Sequence, residues 1–61
     1  MLLVQISPKV LKLRDAATYL GISPISLRRL IKRGFVRPIR VLRHILISVA
    51  ELDRFLEEAQ R

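Results

Sequence analysis

The chain contains no cysteine, and its only histidine is His44. A disulfide framework and a zinc site built from cysteine and histidine are therefore excluded, and no metal or other cofactor is expected. A chain of 61 residues buries only about 60% of the surface that its unfolded form exposes, so its core is small. Stability must then come from apolar packing, for which a hydrophobic content of 51% provides the side chains.

Long apolar runs are also absent from the sequence. Residues 1–6 are apolar except for Gln5, but they are too few for the hydrophobic region of a signal peptide, and no basic segment precedes them. No stretch approaches the roughly 20 apolar residues of a transmembrane helix. We therefore expect a single soluble domain, residues 1–61, in the cytoplasm.

Acidic residues are scarce, with five against 12 lysines and arginines, and the formal net charge is +7. They are also unevenly placed, because no acid occurs between Pro24 and Ser48, where seven basic residues lie. Ordinary protein surfaces interleave both signs, so a merely solvated basic face is the weaker interpretation. The pattern indicates an anionic partner, either nucleic acid or a membrane surface.

The residue types that catalysis needs are equally few. Asp15, His44 and the serines could be assembled into a triad, but so short a chain cannot pack a core and also enclose a preorganised site that excludes water. A glycine-rich phosphate loop is missing too, because Gly21 and Gly34 both fall at predicted helix ends. The chain is not expected to be an enzyme.

Two short helices joined by a tight turn are predicted in the first half. Apolar residues spaced i, i+3, i+4, i+7 predict a helix over residues 13–20, which Gly21 ends in the left-handed conformation. Ser23 as N-cap, followed by proline at the first helical position, begins a second helix that runs to about residue 33 and stops at Gly34. The connection has the length and chemistry of a helix-turn-helix.

The second half predicts a β-hairpin and a last helix. Apolar residues alternate around 39–41 and 45–47, with the turn at about 42–44. Ser48 and Glu51 form a capping box that opens the last helix. Its apolar positions are Val49, Leu52, Phe55, Leu56 and Ala59. Residues 1–10 are expected to form an extended arm before the folded part, residues 11–61.

The second helix has a polar side that suits the major groove of DNA. Leu27, Leu30 and Ile31 share one side, and at about 100° per residue Ile25, Arg29 and Lys32 lie opposite them. We expect Arg29 and Lys32 to reach bases, and the flanking Arg28 and Arg33 to hold phosphates. Ile25 either touches a thymine methyl group or covers the turn beneath it. Ser26 either bonds DNA or helps to cap the helix.

The hairpin supplies further cations. Arg40 and Arg43 are placed to reach the DNA backbone or the minor groove, whereas His44 is interpreted as a surface histidine. The candidate DNA-binding residues are Ser23, Ile25, Ser26, Arg28, Arg29, Lys32, Arg33, Arg37, Arg40 and Arg43. A membrane role is disfavoured, because the apolar side of the second helix is needed for the core.

The order of these features resembles a known family over residues 11–56. The residues that carry the likeness are Leu13, Asp15-Ala16-Ala17, Leu20-Gly21-Ile22-Ser23, Leu27 to Gly34, Pro38, Arg40-Val41, Arg43, Ile47, Leu52 and Phe55-Leu56. The chain resembles the excisionase and AlpA-like group of phage and mobile-element DNA-binding proteins, related to the MerR-type winged helix. The resemblance implies a mainly α fold with a small β-hairpin, a winged helix-turn-helix. It also implies a second helix in the major groove and a wing in the flanking groove.

The chain departs from the family pattern at four positions. Lys12 stands where the family tends to have a serine or threonine cap, and Asp15 where glutamate is usual. Leu42 occupies a turn position that usually carries glycine, and Leu46 one that is often basic. The role of the wing in DNA binding is therefore carried over only through Arg40 and Arg43.

The sequence predicts sequence-selective binding of double-stranded DNA, with the role of a recombination directionality factor that assists an integrase. A transcription regulator of a phage or mobile element is the alternative, and a basic module that binds an acidic protein is a third. Leu2, Leu3, Leu42 and Leu46 fit neither the helix stripes nor the DNA face. Either the arm mediates self-association or cooperative binding along DNA, or it completes the core of its own chain.

Overall fold

The computed structural model describes residues 9–60 and contains three helices and three strands within that range. Their order is β1 (Val10–Lys12), α1 (Leu13–Leu20), α2 (Pro24–Lys32), β2 (Ile39–Val41), β3 (His44–Ser48) and α3 (Val49–Ala59). The mainly α winged helix-turn-helix predicted from the sequence is confirmed. The predictions for Leu2, Leu3 and the rest of the arm up to residue 8 lie outside the described residues.

The turn between α1 and α2 forms as its glycine and serine predict. Gly21 has φ of 75°, and its N–H donates to the carbonyl of Thr18 while the next N–H, of Ile22, donates to that of Ala17. These two bonds are the Schellman arrangement, which requires a left-handed residue at this position. Ser23 then caps α2, because its Oγ accepts the N–H of Ser26 at 3.1 Å.

The end of α2 repeats the same geometry. Gly34 has φ of 84°, and its N–H donates to the carbonyl of Ile31 while the N–H of Phe35 donates to that of Leu30. The left-handed glycine turns the chain sharply out of the helix. The C-terminal ends of α1 and α2 are thus defined by the only two glycines of the sequence.

The sheet has one strand more than the predicted hairpin. Its order is β1-β3-β2, with both pairs antiparallel. The two-residue turn is Leu42-Arg43, because Val41 pairs directly with His44 and His44 belongs to β3 rather than to the turn. The added strand β1 pairs Leu11 with Ile47, so the residues just before α1 are fixed to the middle of the sheet.

The two faces of the sheet carry different groups. Directly opposed residues of antiparallel strands share a face, which places Leu11, Ile47, Ile45 and Arg40 on the same inner side. Ile47 is fully buried there. Leu46, predicted to be an exposed apolar residue, is instead half-buried, because it lies in the central strand.

The core lies between the helices and the inner face of the sheet. Its fully buried members are Ala16, Ala17, Leu27, Val36, Ile47 and Leu52. The alanines allow close approach of α1 to its neighbours, and Leu27 comes from the side of α2 that faces inward. The predicted apolar sides of the three helices are confirmed, except that Ala59 is exposed at the end of α3.

Candidate nucleic-acid interface

The outward side of α2 presents the residues predicted to meet bases. Ile25 is 63% exposed, and Arg29 and Lys32 are exposed on the same side, while Leu27 on the opposite side is fully buried. An isoleucine exposed to this extent gains little from packing. The helix therefore presents an apolar contact and two cations outward from a fixed core.

The two serine hydroxyl groups at the start of α2 make different hydrogen bonds. Ser23 Oγ accepts the Ser26 N–H and donates to Ser26 Oγ at 3.0 Å, so this hydroxyl is occupied by capping. Ser26 Oγ accepts the latter bond, which leaves its own O–H as a donor at the positive end of the helix dipole. Of the pair, Ser26 is thus the better placed to bond an anion.

The hairpin and α2 together form a first basic cleft. It is lined by Arg28, Ile31, Lys32, Arg40 and Ile45. Arg40 reaches it because the register places this residue opposite Ile45, on the face of the sheet that is turned towards α2. The structure therefore brings the wing cation Arg40 together with two cations of α2.

A second cleft continues this surface towards the hairpin turn. Its lining includes Arg43 and His44 of the hairpin, Arg28 and Pro24 of α2, and also Lys12 and Arg14. The two clefts share Arg28 and Ile45. We call the cations of both clefts the basic band: Lys12, Arg14, Arg28, Lys32, Arg40 and Arg43.

Lys12 and Arg14 were not among the predicted site residues. They lie in and before the first turn of α1, where the partial positive charge of the helix dipole makes cations unfavourable. Lys12 is also the N-cap of α1, and its side chain makes no capping hydrogen bond. Two cations at the start of a helix were thus a signal in the sequence. They indicate that these side chains have a role other than stabilising α1.

Besides Arg29 on the outward side of α2, two predicted cations lie apart from the basic band. Arg33 is the exposed C-cap of α2, and Arg37 lines a cleft together with Gly34, Phe35, Glu51, Arg54 and Glu58. The surroundings of Arg37 therefore include two acids of α3. The structure does not group it with Arg28, Arg40 or Arg43.

A hydrogen-bonded clamp holds the segment that joins α2 to the wing. Glu51 Oε2 accepts the backbone N–H of Arg37 at 2.8 Å, and Arg54 donates to the carbonyl of Phe35 at 3.0 Å. Arg54 also donates to both carboxylate oxygens of Glu51, at 2.9 and 2.6 Å. The predicted capping box is thus formed only by Ser48 Oγ, which accepts the Glu51 N–H at 3.0 Å, because the Glu51 carboxylate is committed to the clamp.

The hydrogen bonds of the clamp shift the pKa values of the charged groups that form it. The Arg54 guanidinium, and to a smaller extent the N–H of Arg37, lower the pKa of Glu51 below its ordinary value. Its hydrogen bonds to Glu51 and Glu58 raise the pKa of Arg54. Glu51 therefore stays ionised at neutral pH and holds the backbone of the segment between α2 and β2 at Arg37.

A second polar contact joins α1 to α3. The Tyr19 hydroxyl donates to Asp53 Oδ1 at 2.6 Å, and this bond raises the pKa of Tyr19. Tyr19 is 46% exposed, so the contact lies at the surface. It is one more link between α3 and the helix-turn-helix unit.

Charge is segregated between the basic band and α3. Within residues 9–60, both ion pairs join Arg54 to acids of its own helix, Glu51 at 2.6 Å and Glu58 at 2.9 Å. The cations of the basic band form no ion pair with another described residue. Unpaired cations in two adjoining clefts favour an anion that spans both.

Other kinds of site find less support in the part of the chain that the structure describes. Residues 9–60 contain no group of three or more histidine, cysteine, aspartate or glutamate side chains that could hold a metal ion. None of the helices described is both long enough and apolar enough to cross a bilayer.

A helix-turn-helix whose second helix presents cations outward, followed by a cation-bearing hairpin, defines the winged helix-turn-helix class of DNA-binding domains. The model of the family described as "Helix-turn-helix domain" matches residues 10–60. The chain belongs to this family, whose domains bind specific DNA sequences and are typically not catalytic. No curated protein and no solved structure matches it significantly.

Proposed function

We propose that this chain is an excisionase-like recombination directionality factor, a protein that binds DNA beside a recombination site and assists an integrase. The observation that carries the proposal is the continuity of the basic band from α2 to the wing. A helix and a wing that contact one duplex together hold it in a defined path, which is the architectural task of such a factor. This surface needs no catalytic group.

In the proposed complex, α2 lies in the major groove and the hairpin follows the flanking groove. Arg29 and Lys32 read base edges, Ile25 contacts a thymine methyl group, and Arg28 and Arg33 hold phosphates. Ser26 bonds a phosphate at the start of α2. On the wing side, Arg40 and Arg43 contact the backbone together with Lys12 and Arg14. Ser23 supports the complex as the helix cap, and Arg37 contacts DNA only at the margin of this footprint.

We further propose that several copies bind cooperatively, in the cytoplasm, along the DNA. Three apolar residues of the sheet support a contact between copies, because Val10, Ile39 and Val41 are 40%, 43% and 46% exposed. Strands β1 and β2 are both edges of the described sheet, and an edge strand can pair with an added one.

The proposed role is tested with an excision assay in vitro. The chain is added to the integrase encoded with it and to a DNA substrate carrying the recombined ends. We expect excision to rise with the concentration of the chain, and a variant with Arg29→Ala and Arg40→Ala to give no stimulation. If the chain leaves excision unchanged but binds its own promoter and represses it, it is the transcription regulator instead. Equal binding to an acidic protein and to DNA would favour the basic interaction module.

A further inference from the structure

Leu42 lies at the tip of the wing, where its backbone conformation and its exposure are both unfavourable for leucine. It is 94% exposed, more than any other large apolar residue described. Its φ is 55°, and among residues 9–60 it is the one non-glycine residue with positive φ. It is the first of the two turn residues, and a positive φ there but not at Arg43 is the pattern of the type II′ turn, whose first position suits glycine.

The isolated fold would be served better by glycine at this position. A left-handed leucine strains the backbone, and an apolar side chain that is almost wholly exposed recovers nothing by packing. The same chain does place glycine at its other two left-handed positions, Gly21 and Gly34. The stability of the domain therefore does not explain leucine at this position, whereas a contact of its side chain with a partner molecule would.

The surroundings of the tip are cationic. Arg43 follows Leu42 directly, and Arg43 and His44 line the cleft that contains Arg28 and Pro24 of α2. Arg40, on the other arm of the hairpin, lines the adjoining cleft with Lys32. The apolar tip thus emerges from the basic band, on the side of the molecule where the duplex is proposed to lie.

We propose that Leu42 is a wedge that enters the minor groove and inserts between two base pairs. This inference rests on the proposed DNA-binding mode. Leucine is one of the apolar residues that other architectural proteins insert into base steps, and insertion unstacks the step and kinks the duplex away from the minor groove. Only the side chain at the apex of the turn has to pass into the groove, which is about 6 Å wide, while Arg40 and Arg43 hold the phosphates on either side.

The proposed insertion also predicts which base-pair step of the DNA is kinked. Pyrimidine–purine steps such as TA and CA unstack most readily, so the kink falls at such a step in the groove that flanks the α2 footprint. Part of the sequence preference of the chain then comes from a step that makes no base-specific hydrogen bond. The positive φ of Leu42 holds its side chain at the apex of the turn whenever β2 and β3 are paired.

The test uses the full chain and a duplex that it selects from a pool of random sequences. 2-Aminopurine replaces adenine at successive positions, and its fluorescence reports unstacking, while fluorescence energy transfer between the duplex ends reports the bend. With the natural chain we expect a several-fold rise in fluorescence at one step. In Leu42→Gly we expect this rise and the bend to be lost, while the melting temperature stays unchanged or rises. Leu42→Met, which keeps an apolar tip, retains both signals.

Phe35→Leu is the control, since it alters an exposed apolar side chain outside the basic band and outside the edges of the sheet, and it leaves unstacking intact. Equal unstacking and bending by the natural chain and Leu42→Gly would overturn the inference while leaving the proposed function standing. Failure of the natural chain to bind any duplex would overturn both. A loss of cooperative binding in Leu42→Gly with the bend retained would assign Leu42 to a contact between protein copies and likewise refute the wedge.

Discussion

Arg28 and Arg29 are neighbours in the chain, yet the helix turns their side chains about 100° apart. Arg28 lies in both clefts that face the hairpin, whereas Arg29 shares the outward side with Ile25. Arg33 follows Arg29 by one turn but stands at the end of α2, as its C-cap. Residues of one type on one helix can therefore differ in whether they read sequence or only hold the backbone.

The two arginines Arg29 and Arg33 provide a matched pair for this distinction. We expect Arg29→Ala to relax the preference at one or two base pairs and to cost about 1–3 kcal/mol at those positions. Arg33→Ala should weaken binding to all sequences by the same factor. Fluorescence anisotropy with the selected duplex and with a scrambled duplex measures both effects. If Arg29→Ala weakens the two duplexes equally, the base-reading side of α2 is misassigned.

At the scale of elements, the position of the wing depends on α3. The chain leaves α2 at Gly34 and enters β2 at Ile39, and this short connection is held by Glu51 and Arg54 through backbone atoms. Glu51 is 15% exposed, so its bonds are partly shielded from water, whereas Arg54 is 42% exposed. Helix α3 thus holds the segment that leads from α2 into the wing.

Glu51→Gln tests this clamp. Because the folded-state pKa of Glu51 is lowered, its contribution to stability is present above the unfolded value, near 4.5, and is lost as the pH falls through the lower folded value. We therefore expect the variant to be less stable by about 1 kcal/mol at pH 7 and to lose less stability on acidification than the natural chain.

Glu57→Gln is the control for the clamp, because it makes the same change of charge on an exposed position of the same helix. Both variants gain general affinity for DNA from the lost negative charge. Only Glu51→Gln should reduce the effect of a second substitution, Arg40→Ala, on DNA binding. Thermal melting at several pH values and a double-mutant cycle provide the measurements, and identical behaviour of the two variants would exclude the clamp.

The elements that could be predicted from the sequence are those set by local signals. Gly21, Ser23-Pro24 and Ser48 fix helix ends through bonds to residues three to five positions away, and the predicted bounds of α1 agree with the structure. Strand β1 could not be predicted, because it has three residues and exists only through pairing with β3, some 35 positions further along. The same pairing brings Lys12 to the basic band, which is why the sequence alone missed this residue.

The positions of the candidate site residues could likewise be predicted only where local signals set them. The exposed side of α2 could be predicted from helical periodicity, which is local. That Arg40 faces α2 while Arg37 lies beside the acids of α3 depends on strand register and on the Glu51 clamp. Charge counting along the chain cannot separate these two arginines.

At the scale of the whole molecule, the basic band predicts the response of DNA binding to salt. Its cations other than Lys32, which is proposed to read bases, suggest about five phosphate contacts, hence a log–log slope of roughly −4 to −5 for affinity against salt concentration. Titrations with one duplex at several concentrations of potassium chloride measure the slope. A slope near zero contradicts the proposed phosphate contacts.

The apolar arm gives a second prediction at this scale. If the arm mediates the contact between copies, a chain that lacks residues 1–7 loses cooperative DNA binding while its melting temperature stays unchanged. The Hill coefficient of binding and thermal melting are measured on the same samples. A large fall in melting temperature with cooperativity retained would instead assign the arm to the core of its own chain.

Strand β3 is bonded on both sides within the described sheet, whereas β2 is bonded on one side and all three of its residues are exposed. The outer half of the wing can consequently detach by itself, and its amide hydrogens should exchange with solvent long before those of β3, which open only when the domain unfolds. A wing that opens in this way must be ordered again when DNA binds, at a cost of about 1–2 kcal/mol for each residue fixed. We therefore expect weak, quickly reversible binding to unrelated DNA to use α2 alone, and the wing to be closed on the selected duplex.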